Sequence, residues 1–99
     1  MSEHLTAADF VPNVDKVFRV RGGHHGLRLT EVQAHATPGA ASKALQRAPF
    51  TLIFAGPPAD ILREGLYTFE VEGGHAFELY VMPVHTTARD RQDYQAAFN

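Results

Sequence analysis

The sequence contains no cysteine. That excludes disulfides, thiolate zinc sites and a cysteine nucleophile, while fitting either redox compartment. It also lacks any run of about 18 or more apolar residues, the length a membrane-spanning helix needs, so no membrane partner is expected. The opening stretch, MSEHLTAADF, has neither the basic start nor the apolar core of a signal peptide. The expectation is a soluble, cytoplasmic protein, with export by a signal-independent route as the alternative. An overall basic balance is missing too. Nine Lys and Arg stand against eleven Asp and Glu, a net charge of −2, which speaks against nucleic acid as a partner.

Recognisable catalytic patterns are equally scarce. Gly22-Gly23 and Gly73-Gly74 are followed by neither a helix start nor the Lys-Ser/Thr of a phosphate-binding loop, so hairpin geometry accounts for them. Ser and Thr residues have no adjacent base or elbow motif. Glu70 and Glu78 are the one candidate acid pair, and a solvated strand face gives them neither a pocket nor separated pKa values. The expectation is no catalytic residue and no enzyme.

What the chain does have is strand patterning. Its 99 residues, of which 44% are hydrophobic, suffice for one domain over 1–99 with a modest core. Three strand-like runs lie between Phe50 and Val84: Phe50–Phe54, Leu66–Glu72 and Ala76–Val84. In the second, Tyr67, Phe69 and Val71 alternate with the wetter set Leu66, Thr68, Glu70 and Glu72. In the third, Phe77, Leu79 and Val81 alternate with Ala76, Glu78, Tyr80 and Met82. Burying both apolar sets on one side requires an odd number of residues in the connection. A three-residue loop, Gly73-Gly74-His75, or a five-residue one satisfies this. The register sets Val71 against Phe77, Phe69 against Leu79, Tyr67 against Val81, and Glu70 against Glu78.

Before this block, Leu5 to Phe10 carries a helix-start signature. Thr6 caps, Asp9 reaches back, Leu5 staples onto Phe10, and Pro12 ends the helix after one or two turns. Val17 to Val20 reads as a strand, Gly22 to Gly26 as a turn, and Leu27 to Ala36 as the return strand. There Leu27 and Leu29 share one face, but Val32 and Ala34 fall on the other. A bulge near Thr30-Glu31 would reconcile them; a half-buried strand that changes face is the alternative. Residues 37–49 predict a mobile Ala-rich loop with one helical turn. After Pro83 the chain is polar, until Tyr94, Ala96 and Phe98 alternate as a closing edge strand. Five or six antiparallel strands and a short N-terminal helix indicate an all-β fold, either a small barrel or a sandwich. The expected core is Phe18, Leu29, Phe50, Leu52, Phe54, Tyr67, Phe69, Phe77, Leu79 and Val81.

Charge is unevenly spread. Lys16 to Arg47 holds six basic residues and the single acid Glu31, whereas Asp60 to Tyr80 holds five acids and the single base Arg63. Such halves complement each other within a fold.

Two surfaces are candidates for function. Thr68, Tyr80 and Met82 lie on the face opposite the apolar set, and exposed aromatic and Met side chains mark contact surfaces. They are the expected site for a protein partner or self-association, unless the lead-in helix or the 37–49 loop covers them. The six histidines, His4, His24, His25, His35, His75 and His85, lack ligand spacing along a strand or helix. Adjacent residues in extended chain point oppositely, so His24 and His25 should diverge, and no bound metal or cofactor is expected. The alternative is a small-molecule or metal site at a barrel end, formed by His24 and His75.

Finally, six strings resemble a family of small single-domain bacterial proteins of unknown function. They are Phe18-Arg19-Val20; Leu27-x-Leu29-Thr30-Glu31-Val32; Arg47-x-Pro49-Phe50-x-Leu52-x-Phe54-x-Gly56-Pro57; Gly65-x-Tyr67-x-Phe69-Glu70; Glu78-Leu79-x-Val81-x-Pro83; and Tyr94-x-Ala96-x-Phe98-Asn99. The resemblance implies an accessory or assembly role beside fibre proteins similar to those of phage tails. It carries no active site onto this chain.

Overall fold

The computed structural model describes residues 5–34, 49–73 and 75–98. The 37–48 part of the loop expectation, the end of the return strand at 35–36, and His4 and His35 lie outside them. A short helix α1 (Ala7–Phe10) runs into a 3-10 turn at Val11–Asn13, and six strands follow. These are β1 (Val17–Val20), β2 (Gly26–Ala34), β3 (Phe50–Gly56), β4 (Gly65–Val71), β5 (Ala76–Pro83) and β6 (Gln92–Phe98). They close into an antiparallel barrel in the order β1-β2-β3-β6-β5-β4, with β4 returning to β1. Of the two architectures open from sequence, the barrel is the one formed. β6 is correspondingly no edge strand, since it pairs with β3 along its length and with β5 at Met82↔Gln95 and Pro83↔Tyr94.

The alternating residues fill the barrel. Phe18, Leu27, Leu29, Phe50, Leu52, Phe54, Phe69, Val81 and Tyr94 are fully buried, and Tyr67 and Phe77 pack partly buried against them. In β2 the pairing jumps from Leu29↔Phe54 to Glu31↔Ile53. Thr30 is therefore the extra residue of a bulge, and its hydroxyl donates to the Ile53 carbonyl at 3.1 Å. The bulge returns Val32 to the inner face opposite Leu52, which reconciles the broken alternation.

The β4–β5 register needs a correction. The faces are as expected, but the pairs are Phe69↔Phe77, Tyr67↔Leu79 and Gly65↔Val81, a shift of two residues. Val71 N–H donates to the His75 carbonyl at 2.8 Å, so the three-residue connection is 72–74, one position earlier than Gly73-Gly74-His75. Electrostatics explains the preference. The shift places Glu70 opposite Ala76 instead of Glu78, which removes a like-charge pair. On its other side Glu70 faces Arg19 of β1 and accepts a hydrogen bond from Arg21 Nε at 2.8 Å. The basic and acidic halves do meet across strands.

The lower end of the barrel, where β1 begins, is closed by α1. The Asp9 carboxylate accepts from the Thr6 backbone N–H at 2.8 Å, fixing the turn. Phe10, fully buried, lies against Phe77, Phe98 and Phe50 at ring-centroid distances of 4.8, 5.8 and 5.8 Å. Phe77 and Phe98 belong to the halves of β5 and β6 that do not pair with each other. The upper end is crossed by residues 57–64, because β3 must pass over the barrel to deliver β4 beside β1.

Candidate functional site

The crossing segment is where polar side chains gather. Each of the chain's three tyrosines holds one of its consecutive residues. Tyr94 rises from the core, and its hydroxyl accepts the Leu62 N–H at 2.8 Å. Tyr67 donates to the Arg63 carbonyl at 2.8 Å. On the outer face Tyr80 donates to the Glu64 carboxylate. Burial pushes the Tyr94 phenol above its ordinary range, against the opposing pull of the Leu62 N–H. The Tyr80 phenol is also raised, chiefly because it donates a hydrogen bond to Glu64.

Two residues earlier, Asp60 faces the β1–β2 turn. Its Oδ2 lies 2.6 Å from His24 Nε2 and its Oδ1 3.1 Å from His25 Nε2. The two imidazole rings are 4.2 Å apart, centroid to centroid. The hydrogen bond to His24 holds the Asp60 carboxyl below its ordinary range, outweighing a smaller opposing desolvation, and the charges of both histidines act in the same direction. His25 is the fixed member, with 15% of its side chain exposed, against 74% for His24.

This overturns two expectations about the histidines. Adjacent residues diverge only in extended chain, and His24 lies in a turn that Gly22, at φ +80°, bends back on itself. Both rings therefore converge on Asp60. The proposed pairing of His24 with His75 fails on topology. Strand β4 runs antiparallel to β1, so His75, opposite Val71 where β4 ends, lies at the lower end and His24 at the upper. Sequence reasoning missed Asp60 because it sits 35 and 36 residues from its partners. Only the crossing of β3 to β4 joins them, and no local spacing encodes that.

Of the expected partner-binding residues, Thr68, Tyr80 and Met82 all face outward on β4 and β5. Tyr80 is 49% exposed and directly opposite Leu66, which is 60% exposed. Thr68 and Met82 are half-buried. Thr68 is opposite Glu78, and Met82 receives the Gln95 side-chain amide at 3.8 Å. The structure brings Thr68 and Tyr80 together, adds Leu66, and leaves Met82 at the β6 side. Helix α1 does not cover this face, because Phe10 is committed to the lower end.

A cleft of about 640 Å³ lies at that lower end, lined by Asp9, Asn13, Lys16, His75 and Phe77 among others. Lys16 and Asp9 make it polar, but among the described residues no set of metal-ligating side chains converges there.

The model of a domain of unknown function, DUF6916, matches residues 5–98. The chain belongs to this family. The match takes in α1 and all six strands, so the family's unit is the whole barrel with its plug and crossing segment. No curated protein and no solved structure matches the chain. No helix among the described residues is long and apolar enough to cross a membrane.

Proposed function

We propose that this DUF6916 barrel is a non-catalytic accessory module that binds a protein partner through the outer face of β4 and β5. The observation that carries the reading is the exposed cross-strand pair Leu66 and Tyr80. An apolar centre ringed by polar groups is the makeup of a contact surface. Here the ring is acidic, with Glu64 held against Tyr80 and Glu78 opposite Thr68. The matching partner presents an apolar patch among basic groups. The chain's own β1–β2 face has that chemistry, since Val17, 42% exposed, lies opposite Arg28 with Arg19 on the same side. A second copy is therefore one partner of the right kind, and the family resemblance points to fibre or phage-tail-like assemblies.

Leu66→Ala tests the reading more cleanly than Tyr80→Ala, because Tyr80 also tethers Glu64. Sedimentation of the purified chain, and affinity capture from its native cell, should show an association that Leu66→Ala weakens by at least about fivefold. Melting temperature should stay close to that of the parent. Association unchanged by Leu66→Ala and by Tyr80→Phe would place the contact elsewhere.

A further inference from the structure

We infer that His24, His25 and Asp60 form a binding site for a divalent transition metal, with zinc the best-matched ion. The donor set is two imidazole nitrogens and a carboxylate oxygen, and these atoms lie within 4.8 Å of one another. Zinc bonds such donors at about 2.0–2.2 Å and accepts three protein ligands with the remaining position left to water. Nitrogen donors favour zinc, nickel and copper over magnesium and calcium, which prefer all-oxygen shells.

The geometry needs little rearrangement. Asp60 already presents one oxygen to each ring, and both rings offer the same atom, Nε2. In the metal-free protein a proton lies between each ring and the carboxylate. An ion entering between the three side chains takes the place of those hydrogen bonds, and the histidines bind it as neutral imidazoles. His25 is the anchor because its ring is nearly covered, while exposed His24 and half-exposed Asp60 are free to close by the small distance required. The backbone around them is held independently. His25 C=O accepts the Val20 N–H at 3.0 Å, and the Asp60 segment is fastened two residues later by Leu62 N–H to Tyr94. The donors are thus carried on two loops that the fold fixes side by side, which distinguishes them from a chance surface cluster.

The site is separate from the β4–β5 face. Its occupation would join the β1–β2 turn to the crossing segment, giving the upper end a second fastening, and the open coordination position would remain available to water or to a donor from another molecule.

The test uses the full chain without a polyhistidine tag, stripped with a chelator and titrated with zinc against a chromophoric competitor, with thermal unfolding followed in parallel. One equivalent should bind and raise the melting temperature. Asp60→Asn, which keeps the size but removes the charge and one acceptor oxygen, and His25→Gln should each weaken binding at least about tenfold, since even loss of an outer partner of a metal ligand costs 10–100-fold. His75→Ala, at the opposite end, should bind as the parent does. Absence of saturable binding by the parent chain overturns the inference. So does equal affinity in Asp60→Asn, whose folding the parallel melt verifies.

Discussion

At its lower end the barrel is shut by a cluster of tilted rings, Phe10 against Phe50, Phe77 and Phe98; at its upper end it is shut by a strap, residues 57–64, tied down by hydroxyls and a carboxylate. Both closures keep water from the same core. They differ in what they demand of the chain. An apolar plug is held by burial, which has no direction, so any well-fitting aromatic serves. A strap tied by hydrogen bonds fixes particular atoms in particular places. The upper end can therefore position Asp60 against two histidines, and the lower end positions nothing comparable among the described residues. Chemistry gathers where the closure is directional.

Four substitutions sharpen this contrast, and the largest effect belongs to the plug. Phe10→Ala should cost about 3–5 kcal/mol, the usual loss for a buried Phe, a large share of a small domain's stability. Chemical denaturation measures it, and a loss below about 1 kcal/mol would mean that the lower end is sealed by other residues.

Tyr94→Phe comes next. It keeps the ring but leaves the buried Leu62 N–H without its acceptor, a loss of about 1–3 kcal/mol. Titration of the parent chain gives the matching pH signature. With Tyr94 and Tyr80 both raised above the ordinary value of 10.0, phenolate absorbance should show these two tyrosines ionising late. Because the folded value is raised, the Tyr94 contribution is complete below the unfolded pKa and is lost as pH climbs through the folded one. Ionisation of Tyr94 and Tyr80 at the ordinary value would show that the strap is not anchored as described.

Leu66→Ala should change stability by no more than about 0.5 kcal/mol, as expected of a surface position, while reducing association. The smallest effect belongs to Asp60→Asn in chelator-treated protein. Exposed hydrogen bonds compete with water, so its melting curve should nearly overlay the parent's until zinc is added, whereupon only the parent should shift.

The same contrast explains what could be read without a structure. Alternation places Phe18, Phe54, Phe69, Leu79 and Val81 inside because a strand's side chains face one way every second residue, a purely local rule. The break between Leu29 and Val32 betrays the bulge at Thr30 for the same reason. Phe10, despite its capping signature, was legible as a helix residue but not as a core one, since nothing local says which rings it meets. The β4–β5 pairing was settled by Glu70's preference for Arg19 and Arg21 over Glu78, a contact between strands 49 residues apart for Arg21. Asp60 was silent altogether. A lone acid after Pro57-Pro58 reads as loop, and only a strap passing over the barrel turns it into the partner of His24 and His25.

A ring of strands, each hydrogen-bonded to two neighbours, leaves little backbone to share with another molecule. Where β5 and β6 part, Phe10 lies against both sides of the gap. Under the reading proposed above, this bead joins others by its skin, through side chains such as Leu66, Tyr80 and the arginines of β1 and β2, which can be exchanged without disturbing a single rung of the barrel. One scaffold can accordingly be re-addressed from one protein to the next while its interior stays the same.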